Sequence, residues 1–146
     1  MLKICALGLD VGKKRIGIAG CDQTGLVAAG LMTLQRTYFE ADLAVFQKLI
    51  GERQINILIV GLPYRLDGSL GFQAQQVQKF TRRLSGALAL PFEYVDERLT
   101  SVEATQQLKA QKRFSTYNKA LVDQQAAQII LQQWLDQRRR SHLTSI

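Results

Sequence analysis

Leu7-Gly8-Leu9-Asp10-Val11-Gly12-Lys13-Lys14-Arg15-Ile16-Gly17-Ile18-Ala19 is an apolar strand that ends in a carboxylate, a basic turn containing glycine, and a second apolar strand. The spacing predicts a β-hairpin with Asp10 at the rim of the sheet. An anionic oxygen on a rigid edge is the kind of ligand that Mg2+ and other hard divalent cations take. Asp followed by Val-Gly also fits an ordinary turn, so Asp10 alone does not decide between a site and a connection.

Outward from the hairpin, residues 2–10 are apolar on both faces, as in a central strand, and 14–21 form its partner. A third strand is expected over 25–34, after the turn at Asp22-Gln23-Thr24-Gly25. Phe39, Leu43, Phe46 and Ile50 recur at helical spacing within 38–51, with Gly51 as the expected stop. Residues 55–60 (INILIV) predict a buried parallel strand, 72–86 a helix and 92–96 (FEYVD) a further strand. A short helix is expected near Thr100, capped by Thr100 or Ser101, then a basic loop over 110–117 and a last helix over 118–137. Three strands in succession followed by strand–helix alternation give an α/β domain with a mixed sheet.

The chain has 146 residues, 47% of them hydrophobic, enough for one domain with a real core. The expected division is a domain over 1–138 and a basic, polar tail over 139–146. Lys and Arg number 19 against 12 Asp and Glu, a formal charge of +7 that favours a polyanionic partner. The cations cluster at Lys13/Lys14/Arg15, Lys79/Arg82/Arg83, Lys109/Lys112/Arg113 and Arg138/Arg139/Arg140. Cys5 and Cys21 have no metal-ligand spacing and make no disulfide framework. His142 is the single histidine and lies in the polar end, which argues against Ser-His or Cys-His nucleophilic chemistry and a histidine-based zinc site. No apolar run is long enough to span a membrane and no signal pattern opens the chain, so a cytoplasmic protein is expected.

Two further acids stand out. Asp123, Ala127, Ile130 and Trp134 fall on one side of the last helix, a side that should pack on the sheet. A carboxylate at the head of such a stripe needs a partner, because burial of an unpaired charge is costly. Asp123 would also suit the helix dipole, with Lys119 one turn before it. In Val95-Asp96-Glu97-Arg98, either acid could point inward; Glu97 is favoured because Asp96 can cap the following turn. Carboxylates from separate elements that meet in space can hold one or two Mg2+ ions for phosphodiester hydrolysis, and a basic surround would draw in nucleic acid.

At these residues the chain resembles the YqgF/RuvX family of pre-16S rRNA nucleases, which are related to Holliday junction resolvases. The likeness runs from Leu7 to about Asp136. It rests on Gly8-Leu9-Asp10-Val11-Gly12 with Lys14-Arg15-Ile16-Gly17, and on Val60-Gly61-Leu62-Pro63 with Asp67-Gly68-Ser69. It continues through Val95-Asp96-Glu97-Arg98-Leu99-Thr100-Ser101 and Val122-Asp123 with Ala126-Ala127. The resemblance implies an RNase H-like fold, with a five-stranded mixed sheet in the order 3-2-1-4-5 flanked by helices. It implies catalytic, metal-binding roles for Asp10, Glu97 and Asp123 with Mg2+, or Mn2+ in its place, and puts Arg15 and the Gly61-Leu62-Pro63 loop at the site. Lys14, Arg15, Arg98, Lys112, Arg113 and Lys119 are then expected to meet nucleic acid. The implied activity is endonucleolytic processing of the 5′ end of pre-16S rRNA, with branched DNA as the alternative substrate. The chain is expected to be a monomer or a weak homodimer.

Gly20-Cys21-Asp22 and Tyr117-Asn118-Lys119-Ala120 depart from the family's usual pattern. If Glu97 ends the fifth strand, it lies about 10 Å from Asp10 across two strand spacings, and its side chain must close that gap. Two readings of other classes remain: a nucleic-acid-binding module whose acids do not catalyse, and a phosphotransferase or ATPase, for which the second lobe is missing. Tyr64 and Phe114 are expected to be available for base stacking, Phe72 to be core, and Trp134 to face the sheet as a structural residue.

Overall fold

The computed structural model describes residues 4–65, 67–97 and 119–144. Strands β1 (Ala6–Val11), β2 (Arg15–Cys21) and β3 (Ala28–Gln35) form an antiparallel meander. Helix α1 (Phe39–Arg53) leads to β4 (Ile57–Leu62), which lies parallel to β1; α2 (Phe72–Leu88) leads to β5 (Phe92–Asp96), parallel to β4. The sheet order is β3-β2-β1-β4-β5, as the resemblance implied. A last helix, α3 (Lys119–Thr144), packs across the face opposite to α1 and α2.

Period-two alternation divides the strands between two cores. Leu7, Leu9, Val11, Ile16, Ile18, Leu58 and Val60 face α1 and α2, where they meet Phe46, Val77, Phe80 and Leu84. Ala6, Ala19, Ile59 and Val95 face α3, against Ala127, Ile130, Leu131 and Trp134. The stripe expected on the last helix is thus buried, and Trp134 also donates its indole N–H to Glu93 Oε1 at 3.4 Å.

Several boundaries differ from expectation. The third strand begins at Ala28 rather than 25, because Asp22 organises the turn before it. Its carboxylate accepts hydrogen bonds from Thr24 Oγ1 and the Leu26 and Val27 amides, which, led by the Thr24 bond, hold it below the usual carboxylate range. Leu26 and Val27 are exposed. Phe72 is 65% exposed, not core, because it opens α2 ahead of the buried positions Ala74, Val77, Phe80, Thr81 and Leu84. The last helix runs to Thr144 rather than 137, so Arg138, Arg139 and Arg140 sit on helical turns.

Gly51 does not stop α1. The helix continues to Arg53 and closes with Gln54 in the left-handed region, at φ 54°, its N–H bonded to the Ile50 carbonyl. A Cβ on Gly51 would meet nothing within 4 Å. Gly51→Ala should therefore stabilise the fold by up to about 1 kcal/mol through a smaller loss of backbone entropy. A thermal melt should show the midpoint rising by roughly 2–4 °C.

Candidate active site

Asp10 is the last but one residue of β1, and its side chain falls on the α3 face, in step with Ala6 and Gly8. Both of its neighbours across the sheet are glycines. Gly17 of β2 pairs with it directly, and the parallel register Leu9↔Val60, carried one step on, sets Gly61 of β4 on its other side. The carboxylate therefore stands between two positions with no side chain.

Each gap is filled by the chain bearing another acid. A Cβ on Gly17 would lie 1.9 Å from the Asp123 carbonyl oxygen, so the early part of α3 rests directly on β2 beside Asp10. A Cβ on Gly61 would lie 2.6 Å from Glu97 Oε1. Glu97 follows the end of β5, and its carboxylate reaches back over the intervening strand. Glu97 thus covers part of the roughly 10 Å foreseen between β5 and β1, because Gly61 leaves room for its carboxylate over β4.

The choice between Asp96 and Glu97 follows from register. Glu93 and Val95 face α3, so Glu97 does too, while Asp96 alternates to the side of Phe92 and Tyr94. Asp10, Glu97 and Asp123 are thus brought to one face, at the carboxyl end of the central parallel strands.

Asp123 is 5% exposed and paired: Arg15 Nε donates to its Oδ2 at 2.7 Å. Arg15 lies two residues before Gly17 on the same face of β2, which aims its guanidinium at the head of α3. The helix is further tied down by Thr33 Oγ1, which donates to the Ala120 carbonyl. This pairing answers the desolvation cost of burying Asp123.

Three carboxylates with no thiol or imidazole among them suit a hard divalent cation in donor chemistry. Cys21 lies at the far end of the sheet, its thiol against the Ala6 amide and the Ile4 carbonyl. Among the described residues, no three acid, thiol or imidazole groups are drawn tightly enough together to form a closed metal cage, and Asp123 is turned onto Arg15.

Of the expected phosphate contacts, Lys14 is exposed on the hairpin turn, Arg15 is at the acids, and Lys119 opens α3 one turn before Asp123. Arg98, Lys112, Arg113 and Phe114, the helix near Thr100 and the loop over 110–117 lie outside the described residues. Tyr64 is half-buried against the α1/α2 core. The sequence reading did not assign Gly8, Gly17, Gly30 and Gly61 a role as a floor for α3 and Glu97. The available signal was glycine at alternate positions of otherwise bulky strands.

The family described as RuvX, Holliday junction resolvase, matches residues 4–137. A protein of Gloeothece citriformis provisionally named pre-16S rRNA nuclease is 66% identical over 144 residues, which cover 99% of this chain and 95% of that one. One of Rippkaea orientalis with the same name is 67% identical over 139 residues, covering 95% and 100%. Among solved structures, Thermus thermophilus RuvC in complex with a Holliday junction substrate aligns with a TM-score of 0.55 at 11% identity, covering 93% of this chain and 96% of that one. The yeast mitochondrial Holliday junction resolvase aligns with a TM-score of 0.50 at 12% identity, covering 91% and 78%. These two likenesses show a resolvase-like, RNase H-type sheet and nothing finer.

Proposed function

Because the chain belongs to the RuvX family, we propose that it is a divalent-metal-dependent nuclease that trims the 5′ end of pre-16S rRNA. The reading is supported above all by the gathering of Asp10, Glu97 and Asp123 over Gly17 and Gly61 on one face of the sheet. Relatives above 60% identity that carry the pre-16S rRNA name favour RNA over branched DNA.

Asp10, Glu97 and Asp123 would hold Mg2+, or Mn2+ in its place. A bound ion of this kind supplies a more acidic water and neutralises charge on the leaving oxygen. Arg15 keeps Asp123 oriented and brings a positive charge to the edge where a phosphate must arrive. Lys14 and Lys119 flank that edge and would meet the neighbouring phosphates, with Arg98, Lys112 and Arg113 as further contacts. Two free thiols suit a reducing compartment, and we place the reaction in the cytoplasm. No helix among the described residues is long and apolar enough to cross a membrane.

The test is cleavage of a 5′-extended 16S precursor, run beside a four-way DNA junction. With Mg2+ the RNA should be shortened at its 5′ end, and EDTA should stop the reaction. A junction cut while the RNA stays whole would favour the resolvase alternative. RNA bound but left uncut, with no divalent ion retained in a metal titration, would reduce the chain to a binding module.

A further inference from the structure

The face of the sheet away from the acids carries a second feature. A cleft of about 1110 Å³ opens between the β1–β2 turn and the first turns of α2. Its floor is apolar, from Val11, Val77 and Phe80, and its walls carry Lys13, Arg36, Lys79 and Arg83. No acid is among the described residues that line it. Phe72 stands at its rim, 65% exposed.

Two of the cations are held in place. The Arg83 guanidinium stacks 3.8 Å from the Phe39 ring centroid, and that of Arg36 lies 4.6 Å from the Phe80 centroid. Arg36 also donates through Nη1 to the Gly12 carbonyl at 2.7 Å, which fixes the hairpin turn against the cleft. A guanidinium flat on a ring keeps its N–H edges directed sideways, where a phosphate can be met.

The cleft adjoins the acids through a single step of chain. Asp10 faces α3, and the next residue, Val11, faces the cleft from the same end of β1. A strand laid over that edge would pass from the acids into the basic cleft. Cations beside an exposed aromatic ring suit an unpaired strand, whose bases can leave the stack; bases within a duplex cannot reach such a ring.

We propose that this cleft binds single-stranded RNA flanking the bond to be cut, with Lys13, Lys79 and Arg83 on phosphates and Phe72 under a base. The proposal rests on the nucleic-acid reading of the acid face but concerns different residues on the opposite face.

Fluorescence anisotropy in EDTA tests it, with a labelled single-stranded RNA of about twelve nucleotides and a blunt duplex of the same sequence. Phe72→Ala should weaken single-strand binding about tenfold and leave duplex binding unchanged. Lys79→Gln with Arg83→Gln should flatten the slope of log affinity against log salt by about 1.4, the share of two phosphates on a single strand. Arg138→Gln with Arg139→Gln, a loss of equal charge on α3, should leave that slope near the parent's. Phe72 is a surface residue, so its variant keeps the test valid if the double variant melts early. Cleft variants that bind as the parent does, or a control that loses as much, would overturn the cleft and leave the nuclease reading standing. A parent chain that binds neither RNA would overturn both.

Discussion

Asp10→Asn is expected to slow single-turnover cleavage of the 16S precursor about a thousandfold, equivalent to about 4 kcal/mol of transition-state stabilisation. Asn keeps the shape of Asp and removes the anionic oxygen. The residue is half-buried, with glycines on both flanks, so the substitution brings no clash and the melting midpoint should stay near the parent's. Asp96→Asn is the matched control. Asp96 is the neighbouring acid of Glu97 but alternates to the opposite face, and its loss should change the rate less than about threefold because it lies away from the acids. If Asp10→Asn cuts within about tenfold of the parent, the acid face is not where the reaction occurs.

The contrast between Asp96 and Glu97 shows where sequence reading reached its limit. The strand Phe92–Asp96 was legible to the residue. Which acid pointed inward was not, because a period of two has no origin until a partner strand supplies one. The register Gly61↔Val95 supplies it. The placement of two of the acids was legible: Asp10 falls near the end of β1, and Asp123 heads a buried helical stripe where an unpaired charge is costly. Phe72 was misread as core because the helix it opens is amphipathic, and a residue in the first turn can fall off the buried face without breaking the pattern. The end of α1 was misread because Gly51 is a plausible stop, whereas the helix closed on Gln54 in the left-handed conformation that glycine usually adopts. The glycine floor was invisible for a different reason: its meaning lies in contacts distant in sequence, such as Gly17 against Asp123.

That floor yields the second large effect. Gly17→Ala should destabilise the fold by about 3 kcal/mol and lower the melting midpoint by roughly 10 °C. The new methyl would stand 1.9 Å from the Asp123 carbonyl oxygen and 2.5 Å from its carbon. Both are backbone atoms in a helix, so no rotamer change relieves the contact; α3 must lift from β2 and give up packing along its length. Gly61→Ala meets a different environment, with Glu97 Oε1 at 2.6 Å and Ile130 Cδ1 at 2.5 Å, both the far ends of flexible side chains. They can turn away at a cost of about 1 kcal/mol, but Glu97 then leaves its place over β4. Cleavage should fall about a hundredfold with little change in the melt, since misplacing one group of a reacting set by about 1 Å has that order of effect. Circular dichroism melts and single-turnover assays on the two variants separate the roles: Gly17 seats the helix that carries Asp123, and Gly61 makes room for Glu97. A Gly61→Ala protein that cuts at the parent's rate would show that the Glu97 carboxylate need not lie over β4, and would remove it from the site.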